Sequence, residues 1–319
     1  MICLNKNKLE QTSIKMKTVL LVPCYNEEQT IAQVIKDFKE YLPGIDIYVY
    51  DNNSTDQTAK VAKENGAIVR QEYQQGKSNV VRSMFREIDA DYYIMVDGDN
   101  TYPASQATLL LKEMKEKNCD MVVGDRLSNG TYLKENKRAM HGFGNKLVKS
   151  LINYIFRADL KDIMTGYRVF SRRFVKNYPI MHQGFELETE MTIFALNNNL
   201  KIYEIPINFQ DRPKGSVSKL NTYGDGFKVL RTIFNLFRHY KPLQFFSLIS
   251  VFFVIIALIF GLPPIYEYFK YNFVYKVPSA VLASGLMLFA LISFSIGLIL
   301  DTISQNDKKQ FQIFLNKEI

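Results

Sequence analysis

The chain has 319 residues, 47% of them hydrophobic and 13% aromatic, with no Trp and a formal charge of +8. That hydrophobic content excludes a disordered or collagen-like chain. Three scattered cysteines (Cys3, Cys24, Cys119) offer no disulfide framework or Cys-rich zinc site, and three histidines speak against a His-based metal centre. The length suits one large domain or two.

Residues 1–16 form an N-terminal extension without the apolar stretch of a signal peptide. Thr18–Pro23 then reads as a strand. Asn26 is placed to cap a helix with Glu27 and Glu28 in its first turn, and Ile31, Val34, Ile35 and Phe38 give that helix one apolar face. Ile45–Tyr50 is the next strand, and the turn at Asp51–Ser54 opens a helix that Gly66 ends. Ala67–Arg70 reads as a strand, Lys77–Ile88 as a helix, Tyr92–Val96 as a strand, Pro103–Lys117 as a helix and Met121–Gly124 as a strand. Such alternation predicts an α/β fold with a mainly parallel sheet and helices on both faces. Ligands of such sheets bind where the strands end at their carboxyl side.

Polar residues gather at those ends. Pro23-Cys24-Tyr25-Asn26-Glu27 follows the first strand, Asp51 ends the second, Asp97-Gly98-Asp99 the fourth and Gly124-Asp125-Arg126 the fifth. Three successive acidic strand ends point to one site. Two carboxylates one residue apart after a buried strand suit a hard divalent ion, Mg²⁺ or Mn²⁺, whose shell is completed by substrate phosphates. Taken alone, a D-x-D is as often a surface turn. Two other nucleotide signatures fail: Gln71 stands where a P-loop ending in Gly76-Lys77-Ser78 needs its first glycine, and no G-x-G-x-x-G follows the first strand.

The charge is uneven. Residues 1–125 carry 15 basic and 19 acidic side chains, residues 126–241 carry 20 and 9, and residues 242–319 carry 5 and 4. The strongly basic middle predicts an anionic partner. Residues 225–240 place Phe227, Leu230, Ile233, Phe234 and Phe237 at helical spacing, as in an interfacial amphipathic helix; a helix packed on the soluble domain is the alternative. Two uncharged runs, from Leu243 and from Val277 to Leu300, are each long enough to cross a bilayer. Pro263 and Pro264 fall in the expected connection. Basic residues before the first run and after the second place both termini and the soluble domain in the cytoplasm, on a cell-membrane protein with two spans. The expected divisions are a 17–222 soluble domain, a 223–241 juxtamembrane helix, a 242–301 two-helix membrane region and a 302–319 tail.

The stretches VPCYNEE, DNNSTDQT, VDGDNTYP, GDR, TGYRVFSRR, GFELETEM and DRPKGSVSKL, in this order, resemble the family 2 glycosyltransferases of GT-A fold. Within these the chain is similar to the polyprenyl-phosphate type, the dolichol-phosphate mannose synthases and their bacterial undecaprenyl-phosphate relatives. The resemblance covers residues 17–240 and the two-span tail. It implies an inverting hexosyltransferase that moves a sugar from a nucleotide-sugar donor, by preference a UDP-hexose, to a polyprenyl phosphate at the cytoplasmic membrane face. It implies that Pro23, Tyr25, Glu27, Asp51 and Lys77 hold the donor. Asp97 and Asp99 bind metal and diphosphate, and Arg126, Arg168, Arg212, Ser218 and Lys219 surround the acceptor phosphate, with Asp97, Asp99 and Arg212 central to catalysis. Three positions depart from the pattern. Asn52 stands where many relatives have a second Asp, Thr101 where mannose synthases often place a metal-contacting Gln, and the R-x-x-G-E-S-K stretch is one residue longer.

Glu186, Glu188 and Glu190 remain open between a base, a sugar-positioning group and partners of nearby arginines. Lys134, Lys137 and Arg138 belong either to a loop over the site or to a plain solvated loop. The rival functions are a family 2 enzyme acting on a hydroxyl of a glycan, and a non-catalytic nucleotide-sugar-binding membrane subunit. The Q-x-x-R-W motif of processive synthases is excluded by the lack of Trp. The bilayer is an expected partner, a nucleic acid is not, and self-association through the membrane helices is left open.

Overall fold

In the computed structural model, residues 16–130, 139–179, 187–210 and 234–317 are described. Glu186, Arg212, Ser218, Lys219, the basic stretch at 134–138 and most of the 223–241 segment lie outside them. The described residues fall into two compact units. One holds 16–130, 161–179, 187–195 and 200–210; the other holds 139–160, 196–199 and 234–317.

The first unit follows the alternation. Strand β1 (Thr18–Cys24) leads to α1 (Ile31–Tyr41), β2 (Asp46–Asp51), α2 (Thr58–Glu64), β3 (Ile68–Gln71), α3 (Lys77–Glu87), β4 (Tyr92–Met95), α4 (Ala107–Lys117) and β5 (Met121–Asp125). The helix α5 (Ala139–Phe156) belongs to the second unit. Strand β6 (Arg168–Ser171), α6 (Arg172–Asn177), α7 (Leu187–Asn197) and β7 (Ile202–Pro206) follow. Val19, Leu20, Leu21 and Val22 of β1 are completely buried, and Ile31, Val34, Ile35 and Phe38 of α1 share a core with Leu20 and Val22 as their spacing requires.

Two helix starts differ from expectation. Asn26 does not cap α1, which begins five residues later. Its backbone is left-handed (φ 56°), and its Oδ1 accepts from Thr55 N at 2.8 Å. It ties the β1 loop to the β2 loop instead. Likewise α2 starts at Thr58, because Asp51 and Asn52 are engaged in the site described below.

The seven-stranded sheet has the order β3-β2-β1-β4-β6-β5-β7. All neighbours run parallel except β6, which is antiparallel to both β4 and β5. Met95 of β4 and Val123 of β5 both lie opposite Arg168, the first residue of β6. The reversed strand therefore starts beside the carboxyl ends of its neighbours. The chain before β6 is delivered to the edge where β1, β2 and β4 end.

In the second unit, residues 234–240 are helical, and α8 (Pro242–Tyr271) and α9 (Val277–Lys317) are both long and apolar enough to cross a membrane. Leu248, Phe252, Ile259 and Phe289 stay exposed, an arrangement that suits lipid rather than water. Pro263 and Pro264 lie inside α8 rather than in a connection. Pro264 has no N–H for the carbonyl of Phe260, and Ser279 Oγ of α9 donates to that oxygen at 2.6 Å. Gly261 and Gly297 allow close approach: a Cβ there would stand 3.2 Å from Ala283 Cβ and 2.9 Å from Phe246 Cβ, respectively. The segment expected as a tail continues α9 to Lys317.

Candidate active site

Parallel pairing of β1 with β2 sets Cys24 opposite Asp51, and β4 runs along the other side of β1. The strand ends therefore adjoin. Burial pushes the Cys24 thiol pKa well up, and the charges of Glu27, Asp51, Asp97 and Asp99 push it further in the same direction. Four of the expected acidic residues thus act on one buried point.

Asp97-Gly98-Asp99 sits in the turn after β4. Asp99 is buried, and its Oδ1 accepts from Thr101 N (3.2 Å) and Thr101 Oγ1 (2.7 Å). The Thr101 hydroxyl hydrogen is spent on orienting this carboxylate. Gly98 O accepts from Thr30 Oγ1 at 2.6 Å, and a Cβ on Gly98 would meet Cys24 Sγ at 2.7 Å. The middle position of this D-x-D is small because β1 passes directly beside it.

Asp97 is only partly buried. Its Oδ1 accepts from Lys77 Nζ at 2.5 Å, and the same ammonium reaches Glu188 Oε1 at 2.6 Å. Burial alone would lower the Lys77 pKa, but attraction to the two carboxylates and the hydrogen bonds reverse this and raise it, so the lysine is a fixed cation. On the far side Gly166 backs Asp97, and a Cβ there would lie 2.4 Å from Asp97 Oδ2. Gly166 N donates to Tyr102 Oη at 3.0 Å.

Asp51 is buried at the end of β2. Its Oδ2 accepts from Ser54 N (3.2 Å) and Gln71 Nε2 (2.9 Å), whereas its Oδ1 has no protein partner. Such a buried acceptor lacks compensation until a donor group reaches it. Asn52 does what Asp cannot. Its Nδ2 donates to Glu72 O (2.9 Å) and Gln74 O (2.8 Å), and its Oδ1 accepts from Gly76 N (2.7 Å). The carboxamide clamps the loop that leads to Lys77. Asn52→Asp loses two donated bonds and sets a buried carboxylate against two carbonyls. We expect a cost of about 3 kcal/mol, read as a lower unfolding temperature and a raised KM for the donor; an unchanged KM would show that the clamp does not position Lys77.

The expected basic residues divide. Arg126 is held by Asp162, with Nε to Oδ2 at 2.7 Å and Nη2 to Oδ1 at 3.0 Å. Its Nη1 lies 3.4 Å from Tyr102 Oη, which places it next to the Gly166 turn. Arg168 corrects the expectation of a phosphate ligand. It is completely buried, and its guanidinium donates to Thr165 O (2.9 Å), Ile163 O (2.7 Å) and Thr192 Oγ1 (3.0 Å). It holds together the loop that carries Gly166 and the helix α7 that carries Glu188. Pro23 is buried, and Tyr25 and Glu27 are half-buried in the β1 loop. Gln210 N donates to Thr101 O at 3.1 Å, so the chain leaving β7 runs beside the D-x-D just before Arg212. Of the three glutamates, Glu188 is paired with Lys77 and Glu190 is buried in α7.

Asn52, Asp162, Gly166 and the Lys77–Glu188 contact are contributions that motif spacing did not reveal. Gly166 lies within the TGYRVFSRR stretch, but only the reversed strand explains its place.

The model for Glycosyl transferase family 2 matches residues 19–178. The chain belongs to this family. Glycosyltransferase AglJ of Haloferax volcanii is 30% identical over 92% of this chain and 95% of its own. A dolichyl-phosphate hexose transferase of the same organism is 26% identical over 66% of this chain and 89% of its own, and a dolichol-phosphate mannosyltransferase of Pyrococcus furiosus is 26% identical over 70% and 62%. Among solved structures, glucosyl-3-phosphoglycerate synthase from Mycobacterium tuberculosis, in complex with Mn²⁺, UDP and glucosyl-3-phosphoglycerate, covers 70% of this chain and 80% of its own. It is 18% identical with a TM-score of 0.57. That likeness shows the GT-A-type fold expected from the strand alternation.

Proposed function

We propose that the chain transfers a hexose from a nucleoside diphosphate, UDP by preference, to a polyprenyl phosphate. The observation that carries this reading is one chain holding both a cluster of carboxylates gathered around buried Cys24 at the strand ends and two helices long and apolar enough to cross a membrane. The dolichol-phosphate and dolichyl-phosphate enzymes among its relatives support the lipid acceptor. Basic residues before α8 and after the apolar part of α9 support a cytoplasmic catalytic unit with both termini on that side.

Pro23, Tyr25, Glu27 and Asp51 are assigned to the nucleoside, with a donor hydrogen bond completing Asp51 Oδ1. Asp97 and Asp99 fit a hard divalent ion in that both offer carboxylate oxygens from the one turn after β4. They would hold such an ion together with the donor diphosphate, since Mg²⁺ and Mn²⁺ favour oxygen ligands and substrate phosphates. Such an ion supplies Lewis-acid help to the departing diphosphate. Arg126, Arg212, Ser218 and Lys219 are assigned to the acceptor phosphate.

A phosphate monoester has a second pKa of about 6, so the acceptor is already anionic at neutral pH. Its oxygen attacks the anomeric carbon as the bond to the diphosphate oxygen breaks. The electron pair leaves with the nucleoside diphosphate, and the anomeric configuration inverts. No proton has to be removed, which agrees with Glu188 being committed to Lys77 rather than waiting as a base. The protein must instead hold two anions together, a task for cations in fixed positions.

The test is purified full-length protein in detergent with a panel of radiolabelled nucleotide-sugars and undecaprenyl phosphate. Label from a UDP-hexose is expected to partition into organic solvent in a product cleaved by mild acid. Label that moves only to water-soluble glycan would establish hydroxyl transfer instead.

A further inference from the structure

Lys77, expected among the residues that hold the donor, is engaged by two carboxylates of the site. Two of its three N–H donors go to carboxylates from distant parts of the chain, Asp97 after β4 and Glu188 on α7. Its own position is built. It is the first residue of α3 and follows Gly76, whose backbone (φ 128°) is open to glycine but rarely to other residues. The Asn52 carboxamide then fixes the loop leading to that glycine from both its donor and its acceptor side. Three separate elements cooperate to bring one ammonium to Asp97.

The geometry points to Lys77 as a resident cation of the Asp97–Asp99 site, which opposes loading of a divalent ion until the donor diphosphate is present. The inference rests on the reading that Asp97 and Asp99 hold that ion. Asp97 Oδ1 is already paired with a cation 2.5 Å away. A second, doubly charged cation at the same carboxylate meets repulsion from that ammonium, and Asp97 and Glu188 are already paired with it, which weakens what the site's own carboxylates offer. The donor supplies a further anion. Its diphosphate brings negative charge for both cations, and the ammonium's third N–H is suited to a phosphate oxygen. Metal and donor thereby become mutually dependent, and the coupling acts equally in both directions. Glu188 keeps the ammonium in place, which makes it a positioning residue.

The experiment measures Mn²⁺ affinity of the full chain in detergent micelles from the electron paramagnetic resonance signal of free Mn²⁺, with and without UDP. In the wild type UDP is expected to tighten Mn²⁺ binding by about tenfold or more. Lys77→Gln is expected to tighten nucleotide-free Mn²⁺ binding by about fivefold and to shrink the UDP effect. Lys77→Arg keeps the charge and keeps nucleotide-free binding weak. Lys77→Met serves in place of the Gln variant where that fails to fold. Nucleotide-free affinity that is unchanged or weaker in the uncharged variants, or equally tight in Lys77→Arg, overturns the inference. Asp99→Asn separates the two levels. If it leaves Mn²⁺ binding untouched with and without UDP, the metal reading itself fails. If it abolishes Mn²⁺ binding while the Lys77 variants behave as wild type, only the resident-cation role fails.

Discussion

Asp99→Asn is expected to reduce sugar transfer by about a thousand-fold while leaving the fold intact. Several kcal/mol of charge stabilisation at the leaving group correspond to roughly that factor, at about 1.4 kcal/mol for each tenfold. Asn is the informative replacement. The Oδ1 of Asp99 accepts from Thr101 N and Thr101 Oγ1, and a carboxamide oxygen can accept both. Shape and these two hydrogen bonds stay, whereas the negative charge and one hard oxygen ligand are lost. The checks are turnover with saturating Mg²⁺ or Mn²⁺ and thermal unfolding of the same preparation. Wild-type turnover under saturating metal would falsify the metal role of Asp99. A collapse of the unfolding temperature together with activity would place Asp99 among the structural residues.

The position of Asp99 was legible because a run of apolar β-formers ending in carboxylates can bury only as a strand with its end in a loop. The carboxylates after the first, second and fourth strands converge because those strands are sheet neighbours; alternation with helices predicts the parallel sheet but not its order, and the fifth strand, read together with them, is set apart from β4 by β6. The reversed β6 was not legible. Its four residues carry no pattern that tells parallel from antiparallel, and its insertion between β4 and β5 is a choice of tertiary packing. Everything that depends on β6 was therefore hidden: the approach of Gly166 to Asp97, the inward turn of Arg168 and the pairing of Asp162 with Arg126. Arg168 shows the physical reason for the misreading. Arg suits phosphate and suits a buried network of carbonyls equally, and only burial decides between them.

The Asn residues mislead in another way. Asn26 and Asn52 were read from local habits, helix capping and substitution for Asp, yet each acts across a long gap in sequence. Asn26 reaches Thr55, and Asn52 reaches Glu72, Gln74 and Gly76. A short polar side chain in a loop between strands has many backbone groups within reach, so its partner follows from the fold rather than from its neighbours. The contact of Lys77 with Glu188, 111 residues away, belongs to the same class.

Gly166→Ala is expected to lower kcat by about a hundred-fold with little change in stability. A methyl group at this position would stand 2.4 Å from Asp97 Oδ2 and 3.0 Å from its carboxyl carbon. Neither distance is tolerable, so one side must yield. The Gly166 backbone is fixed on two sides, by its own N–H to Tyr102 Oη and by the Arg168 guanidinium holding Thr165 O and Ile163 O in the completely buried core. Asp97 is the partner free to turn, since about a quarter of its side chain is exposed. Its carboxylate is displaced by roughly an ångström, and misplacement on that scale costs about a hundred-fold in rate. The lost contact with Lys77 adds to the effect, because the ammonium then follows Glu188 alone. Steady-state kinetics beside thermal unfolding decide the case. A fall in kcat at nearly unchanged unfolding temperature is the expected result, and wild-type kcat would mean that the position of Asp97 does not limit the reaction.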